Sequence, residues 1–166
     1  RREWVFGHAI GRKSNAGVTV MIKKRILKNG ADDVVMEVDA AGRWVTCTIK
    51  NLMEEEVTIV GLYAPATQQR RIPWLIQLEK QVKTIQGMKL MTGDLNFVMD
   101  TKIDKIGGNR NNGMAGSAEQ TKWIRKQGVT DIWRDRHPRT VGTTWKTKGK
   151  EKKNTVKTRI DRWLVS

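Results

Sequence analysis

Alternating apolar and polar residues predict four β-strands in the first part of the chain. The clearest is segment 17–23 (GVTVMIK), which is rich in Val and Ile, residues that favour strands. Segments 33–39 and 43–49 show the same period and are joined by a short turn containing glycine, as in a β-hairpin. Residues 57–63 form the fourth predicted strand, which Pro65 ends because proline lacks the N–H that a sheet requires.

The period changes from two to 3.6 over residues 71–87, which predicts a helix. Pro73 suits its first turn, and Gly87 suits its end. The apolar face of this helix is predicted to carry Leu75, Leu78, Val82 and Ile85.

The remaining segments combine strands with one more helix. Residues 89–98 return to a strand pattern, and Ser117 with Gln120 forms a possible capping box for a second helix. Residues 142–166 indicate two strands around a lysine-rich loop. We find no internal repeat and no linker, so residues 1–166 are predicted to form a single domain of the α/β or α+β class with strand-rich layers.

Charge and composition narrow the possible partners. The chain has 166 residues and a formal net charge of +15, which predicts a polyanionic partner and favours nucleic acid. No apolar run is long enough to span a membrane. The single cysteine, Cys47, excludes an internal disulfide, which fits a reducing compartment.

The segment LMTGDLNFVMD, residues 90–100, places a carboxylate and an amide at the end of an apolar run. Asp94 and Asn96 are two residues apart, so on a strand they would face the same side. A carboxylate can orient a water, and a carboxamide can bind an oxyanion, a combination that suits phosphodiester hydrolysis. The alternative is a simple turn in which Asp and Asn hydrogen-bond locally. For this segment taken alone, the turn is the stronger interpretation.

Three short segments in a fixed order change that interpretation. They are LYAP at residues 62–65, GDLN at 93–96 and TRIDRWLVS at 158–166. Together they resemble the endonuclease/exonuclease/phosphatase family. The segment DIWRDRHPRTVGTTW, residues 131–145, makes the abasic-site-type endonuclease domain of non-LTR retrotransposons the nearest resemblance. The resemblance covers nearly the whole chain and implies a DNase I-like, two-layer β-sandwich flanked by helices.

The resemblance implies four catalytic residues. Asp94 matches the aspartate that orients or deprotonates the attacking water, and Asn96 matches the asparagine that steadies it. Tyr63 matches a tyrosine whose hydroxyl reaches the scissile phosphate, and Asp161 matches an aspartate that orients a catalytic histidine. The alternatives are an aromatic packed at a strand end for Tyr63 and an ion pair with an adjacent arginine for Asp161.

Other family residues find no match in this sequence. The family's first-strand asparagine and its metal-binding glutamate are expected upstream of residue 1, and its Ser-Asp-His block downstream of Ser166. Neither His8 nor His137 fits that block. We therefore expect a partial domain that lacks both ends, with a Mg²⁺ (or Mn²⁺) site only in the complete domain. Impaired activity and marginal stability or aggregation are expected for the partial domain.

The lysine-rich segment is a candidate DNA-binding surface. Lysines mostly contact phosphates, which position a protein on DNA without specifying sequence. The alternative is a solvated loop. The residues predicted to bind DNA are Lys146, Lys148, Lys150, Lys152, Lys153, Lys157 and Arg159.

Several conspicuous residues have a structural interpretation. Asp104 lies in a loop without the ligand spacing of a calcium site, and we expect it to be structural. Packing roles are predicted for six of the tryptophans: Trp74 and Trp123 in the helices, Trp44 and Trp163 in strands, and Trp133 and Trp145 under the active site.

The resemblance implies a metal-dependent DNA endonuclease that nicks target DNA for retrotransposition. It further implies a monomeric, nuclear domain of an intracellular polyprotein that also contains a reverse transcriptase. Two alternatives remain: a phosphatase or phospholipase of the same superfamily, and a non-catalytic basic DNA-binding remnant. The net charge of +15 favours DNA over a lipid or small phosphoester.

Overall fold

The computed structural model describes residues 3–11, 17–52, 54–108, 117–147 and 155–166. Strands dominate these ranges, and three α-helices and two short 3-10 helices, Lys24–Ile26 and Gly30–Asp33, accompany them. In chain order the elements are β1 (Trp4–Ile10), β2 (Gly17–Lys23), β3 (Val34–Val38), β4 (Trp44–Leu52), β5 (Glu55–Tyr63), α1 (Gln68–Val82), β6 (Met88–Asp94), β7 (Lys105–Ile106), α2 (Ser117–Lys126), β8 (Thr130–Asp131), α3 (Ile132–Arg136), β9 (Trp145–Lys146), β10 (Lys157–Thr158) and β11 (Asp161–Val165).

The main sheet has six strands in the order β3-β4-β5-β6-β11-β8. The two central strands β5 and β6 pair in parallel and are connected by α1, whereas the other strand pairs of this sheet are antiparallel. A hairpin of β1 and β2 forms a second sheet, and β7, β10 and β9 form a third. The carboxyl ends of β5 and β6 therefore meet at one edge of the main sheet, beside the start of β11.

Two apolar cores lie on opposite faces of the main sheet. On one face the β1–β2 hairpin packs against β4 and β5, and this core includes Ala9, Val20, Ile22, Cys47 and Ile49. Gly61 permits this close approach, since a Cβ at its position would lie 2.8 Å from a methyl of Val20. On the other face α1 and α2 cover the sheet through Trp74, Leu75, Leu78, Trp123 and Ile124. Strand layers flanked by helices confirm the predicted fold class.

Most predicted elements appear in the structure, with three differences. The strand predicted at 17–23 coincides with β2, whereas β1 and α3 were not predicted. Pro73 lies in the interior of α1, because the helix already begins at Gln68. The half of the capping box that Gln120 would form is absent, since both polar side-chain atoms of Gln120 are buried without a hydrogen-bond partner. The sequence pattern thus identifies elements better than their ends.

Part of the apolar surface stays uncovered in the described ranges. The outer face of the β1–β2 hairpin exposes Trp4, Phe6, Ile10 and Met21. Trp163 in β11 is 53% exposed, so its predicted packing role is wrong, whereas Trp74 and Trp123 are buried as predicted. Marginal stability or aggregation of the chain stays a prediction that these faces support. Among the described helices, none has the length and apolar character that crossing a membrane requires.

Candidate active site

Three strand ends place three of the predicted catalytic side chains in a row. Tyr63 ends β5 and stands opposite Asp94, which ends β6. Asp161 begins β11 and stands opposite Asp94 on the other side. Residues directly opposite one another on neighbouring strands point to the same face of a sheet, with Cβ atoms about 5 Å apart. The backbone pairing of the sheet therefore fixes the spacing of Tyr63, Asp94 and Asp161.

Asn96 lies in a tight turn that leaves β6. It has a left-handed backbone conformation with φ of 53°. Its backbone N–H donates to Oδ1 of Asp94 over 2.7 Å, and its side-chain amide donates to the carbonyl of Ala64 over 2.7 Å. The local Asp–Asn turn and the grouping of both side chains at one site are thus both present. The side chain of Asn96 reaches the neighbouring loop after β5, an arrangement that residue spacing alone did not predict.

The turn is possible because Gly93 precedes Asp94. Its φ of 132° is a conformation that side chains disfavour, and a Cβ there would lie 2.0 Å from the carbonyl oxygen of Leu62. Close approach of β5 and β6 at the site therefore requires glycine at position 93.

A cleft of about 390 Å³ opens beside this row. Tyr63, Asp94 and Asn96 contribute to its wall, whereas Asp161 borders a neighbouring hollow of about 450 Å³. Trp145 is 48% exposed at the cleft, so the prediction that it packs beneath the site is wrong. The other residues lining the cleft are Phe97, Val98, Lys105, Val156, Thr158 and Ile160.

The surroundings of Asp94 have opposing effects on the pKa of its carboxyl. Burial raises the pKa of its carboxyl above the ordinary value, and the nearby carboxylate of Asp161 raises it further. The N–H of Asn96 and the guanidinium of Arg71 oppose this rise in pKa. Asp94 is thus the described carboxylate at which burial, a like charge and a cation converge, which is typical of a functional site.

Two residues that the sequence analysis missed hold the row in place. The guanidinium carbon of Arg43 lies 4.9 Å from the ring centre of Tyr63, and the backbone N–H of Tyr63 donates to the carbonyl of Arg43 over 2.8 Å. The hydroxyl oxygen of Thr144 accepts from the backbone N–H groups of Ile160 and Asp161, each over 3.2 Å. The one signal for Arg43 is the hairpin register, which places the residue before Trp44 beside the end of β5.

A buried ion cluster lies behind β11. Arg159 donates from Nε to Asp104 over 2.8 Å and from Nη2 to Asp131 over 2.7 Å. Arg162 donates to Asp131 over 2.9 Å, and Arg134 also donates to Asp104. Three guanidiniums thus face two carboxylates. Burial raises the pKa of both carboxyls, but these hydrogen bonds and charges outweigh it and hold each pKa below its usual value.

The contacts in this cluster contradict the predicted role of Arg159 and exclude the alternative ion pair of Asp161 among the described residues. Arg159 is 3% exposed and engaged with two carboxylates, so its predicted contact with DNA is wrong: the side chain does not reach the surface. Asp104 is structural, as predicted. Because Arg159 and Arg162 are paired with Asp104 and Asp131, the alternative ion pair for Asp161 is absent among the described residues.

The predicted DNA-binding lysines are only partly described. Lys146 and Lys157 are exposed and stand opposite each other in β9 and β10. The backbone N–H of Thr147 donates to the carbonyl of Val156 over 2.8 Å, which closes the base of the lysine-rich segment. Lys148, Lys150, Lys152 and Lys153 lie outside the described residues. DNA contact by the segment stays a prediction.

The described ranges hold no group of three or more His, Cys, Asp or Glu side chains suited to a metal ion. Asp94 and Asp161 provide two carboxylates on neighbouring strands. His8 contacts the hydroxyl of Thr19, and the ring of His137 lies 5.0 Å from that of Trp133. Within the described part of the chain, neither histidine hydrogen-bonds to Asp161.

No known family profile matches the chain, and no curated protein is similar to it in sequence. Solved structures, however, share its fold. An AP endonuclease from Archaeoglobus fulgidus has a TM-score of 0.73 and 19% identity, over 98% of this chain and 66% of that protein. A 3'-5' exonuclease (NExo) from Neisseria meningitidis has a TM-score of 0.74 and 18% identity, over 99% of this chain and 67% of that one.

The endonuclease domain of TRAS1, a telomere-specific non-LTR retrotransposon, also matches. Its TM-score is 0.65 at 12% identity, over 100% of this chain and 68% of that domain. The chain therefore spans about two thirds of the length of these structures. Its fold is the one that these AP endonuclease, exonuclease and retrotransposon endonuclease structures share, so the predicted resemblance is confirmed at the level of the fold.

Proposed function

We propose that this chain carries a phosphodiesterase site and acts on DNA as an endonuclease. The observation that supports this proposal best is the row of Tyr63, Asp94 and Asp161 on three paired strands, beside an open cleft. The fold of AP endonucleases and the net charge of +15 support DNA as the substrate.

The geometry suggests a role for each residue of the site. Ionised Asp94 accepts a hydrogen bond from the attacking water and aims it at phosphorus, while the phenol of Tyr63 donates to a phosphate oxygen. Asn96 keeps the carboxylate of Asp94 oriented through its backbone N–H. Asp161 would accept a hydrogen bond from a catalytic histidine and orient its ring, which is the role that the family resemblance implies. As the water oxygen forms a new P–O bond, its proton passes to the carboxylate of Asp94; the bond to the leaving sugar oxygen breaks, and that oxygen takes up a proton from solvent water.

A divalent ion, Mg²⁺ or Mn²⁺, is the cofactor that we propose for the complete domain. Mg²⁺ commonly takes one or two protein carboxylates and completes its shell with water and phosphate oxygens. Asp94 would supply one such carboxylate, whereas the glutamate implied by the family resemblance finds no counterpart in this chain. Such an ion neutralises the charge that develops on the phosphate.

The biological role that we propose is nicking of target DNA during retrotransposition. The segment at residues 131–145 and the likeness to the TRAS1 domain support this role. A monomeric domain of a nuclear polyprotein that also contains a reverse transcriptase would fit it. One observation favours the phosphatase alternative: NExo, which shares the fold, is described as a 3' phosphatase in complex with a product DNA hairpin.

A plasmid assay tests the proposal. The chain is incubated with supercoiled DNA and Mg²⁺, and formation of open circles is followed over time. We expect Asp94→Asn to lower the nicking rate by about 100-fold or more, because it removes a member of a catalytic unit. Asp32→Asn is the matched control, since Asp32 is exposed beside β3, three strands from β6.

The plasmid assay, together with assays of phosphate release and DNA binding, distinguishes the alternative functions. Nicking by Asp94→Asn at the wild-type rate would refute the assigned site. Release of phosphate from 3'-phosphorylated DNA or a phosphoinositide, without nicking, would favour a phosphatase. DNA binding without any hydrolysis, both in this chain and after extension with its flanking sequence, would favour a non-catalytic remnant.

A further inference from the structure

Arg71 is a buried cation immediately behind the candidate site. It lies in the first turn and a half of α1 and is 5% exposed. Its Nη1 donates to the carbonyl of Ala66 over 2.9 Å and also donates to the carbonyl of Asn96. A longer contact of 3.5 Å joins Nη1 to the carbonyl of Pro65. A single nitrogen of Arg71 thus contacts the loop after β5 and the loop after β6.

These two loops carry the candidate catalytic groups. The loop after β5 directly follows Tyr63, and the loop after β6 contains Asn96 in its left-handed conformation. Two further hydrogen bonds join them: Asn96 Nδ2 to the carbonyl of Ala64, and the N–H of Ala64 to the carbonyl of Asp94, over 2.8 Å. Arg71 therefore completes a connection between two loops that are about 30 residues apart in sequence.

The positive charge of Arg71 lacks an ion-pair partner among the described residues. Burial lowers the pKa of its guanidinium, and the nearby charge of Asp94 raises it. A buried charge without a partner is costly, and an apolar side chain of similar volume often replaces buried ions without loss of stability. Packing alone therefore does not explain an arginine at this position.

We propose that Arg71 is a positioning residue for phosphodiester cleavage, whose guanidinium holds the Tyr63 and Asn96 loops at a fixed separation. The inference rests on the proposed function of the site. Arg71 does not reach the surface, so it acts through the loop carbonyls and not by contact with substrate. Its positive charge also lies behind the wall of the cleft and would attract a phosphate group bound in the cleft.

Hydrogen exchange tests this role without requiring activity. In Arg71→Met the side chain keeps its bulk but loses its donors, and we expect the amides of Ala64 and Asn96 to exchange about tenfold faster or more. Amides of Cys47 and Ile59, paired in the centre of the sheet, report global unfolding and should exchange as in wild type. Arg71→Lys, which keeps charged donors, should restore much of the protection.

The neighbouring Arg70→Met is the matched control, since Arg70 is exposed on the same helix. Equal exchange at Ala64 and Asn96 in Arg71→Met and Arg70→Met would overturn the proposal. So would exchange that rises equally at the loops and at Cys47. If Arg71→Met does not fold, Arg71→Lys serves as the test instead. This variant keeps a charged donor, so exchange about tenfold faster than in wild type at Ala64 and Asn96, with unchanged exchange at Cys47, would also overturn the proposal.

Nicking kinetics add a second measurement that a purely structural role would not move. We expect Arg71→Met to lower kcat by about tenfold or more with KM nearly unchanged, and Arg71→Lys to recover part of kcat. A rise in KM with unchanged kcat would overturn the positioning role. If neither the wild-type chain nor the chain extended with its flanking sequence nicks DNA, the proposed function fails, and the exchange experiment alone decides whether Arg71 holds the loops.

Discussion

Removing one carboxylate from the buried ion cluster should strongly destabilise the chain. Asp104 is 1% exposed and hydrogen-bonds to Arg134, Arg159 and Arg162. In Asp104→Asn, the buried guanidiniums of Arg159 and Arg162 and the partly buried guanidinium of Arg134 would be left with one carboxylate nearby, that of Asp131. Breaking a buried pair by removing one partner costs about 3–5 kcal/mol, because an uncompensated charge stays in the interior. That is a large fraction of the roughly 5–15 kcal/mol by which a typical domain is stable.

Urea unfolding followed by tryptophan fluorescence measures this loss of stability. With a denaturant slope of about 2 kcal/mol/M, the midpoint should fall by roughly 1.5–2.5 M. Asp135→Asn is the control, because Asp135 is exposed on α3 and the same chemical change there should alter the free energy of unfolding by less than about 0.5 kcal/mol. If Asp104→Asn and Asp135→Asn shift the urea midpoint equally, the charge pairing of Asp104 in the cluster does not stabilise the folded chain.

Three other predictions follow from the described contacts. Because the charge of Asp161 raises the pKa of Asp94, Asp161→Asn should lower the pKa of Asp94. A carbon-13 NMR titration of the Asp94 carboxyl would show this decrease, and an unchanged pKa would mean that the two carboxylates do not interact. Replacing Lys146 and Lys157 by Gln should reduce the slope of log K against log salt for DNA binding by about 1–2, whereas an unaltered slope would exclude phosphate contact. The thiol of Cys47, with its pKa raised by burial to about 11, should resist iodoacetamide in the folded chain and react once urea unfolds it; rapid alkylation without urea would contradict its burial.

The lowered pKa values of the cluster carboxyls predict how the free energy of unfolding changes at acidic pH. Asp104 and Asp131 have pKa values below the ordinary value in the folded chain, so their contribution to stability is present above the unfolded pKa of about 3.9. It is lost as the pH falls through the lowered folded values. Wild type should therefore lose stability below about pH 4, and Asp104→Asn should lose less over that window.

Local patterns carried enough information to identify much of the fold. Segment 17–23 alternates β-branched residues, and β2 occupies those positions. The apolar face predicted for α1 is buried at Leu75, Leu78 and Val82. β1 was missed because Gly7 interrupts its apolar pattern. Gly7 is nevertheless a core position, since a Cβ there would lie 2.5 Å from the sulfur of Met36. The close packing that favours glycine here comes from the side chain of Met36 on another strand, which local sequence does not show.

The candidate site was partly predictable for a similar reason. Asp94 and Asn96 are close in sequence and Tyr63 precedes a proline, so short motifs identify them. Arg71 was missed because its partners are backbone carbonyls, which no residue pattern reveals. Arg159 was assigned to DNA because it follows a run of lysines, yet it pairs with Asp104, 55 residues away. Charge in a sequence indicates a basic surface only where the fold leaves the side chain outside.

The lysine-rich segment joins the rest of the molecule through a rigid base. β9 and β10 are paired there, and Arg159 fixes the following residues to Asp104 and Asp131. Because this base is held by contacts of its own, we expect the position of Asp161 on β11 to depend on the base and not on the residues between β9 and β10. Under the proposed function, DNA affinity and bond cleavage are therefore separable, and neutralising the lysines of the segment should weaken DNA binding while the turnover rate at saturating DNA stays the same.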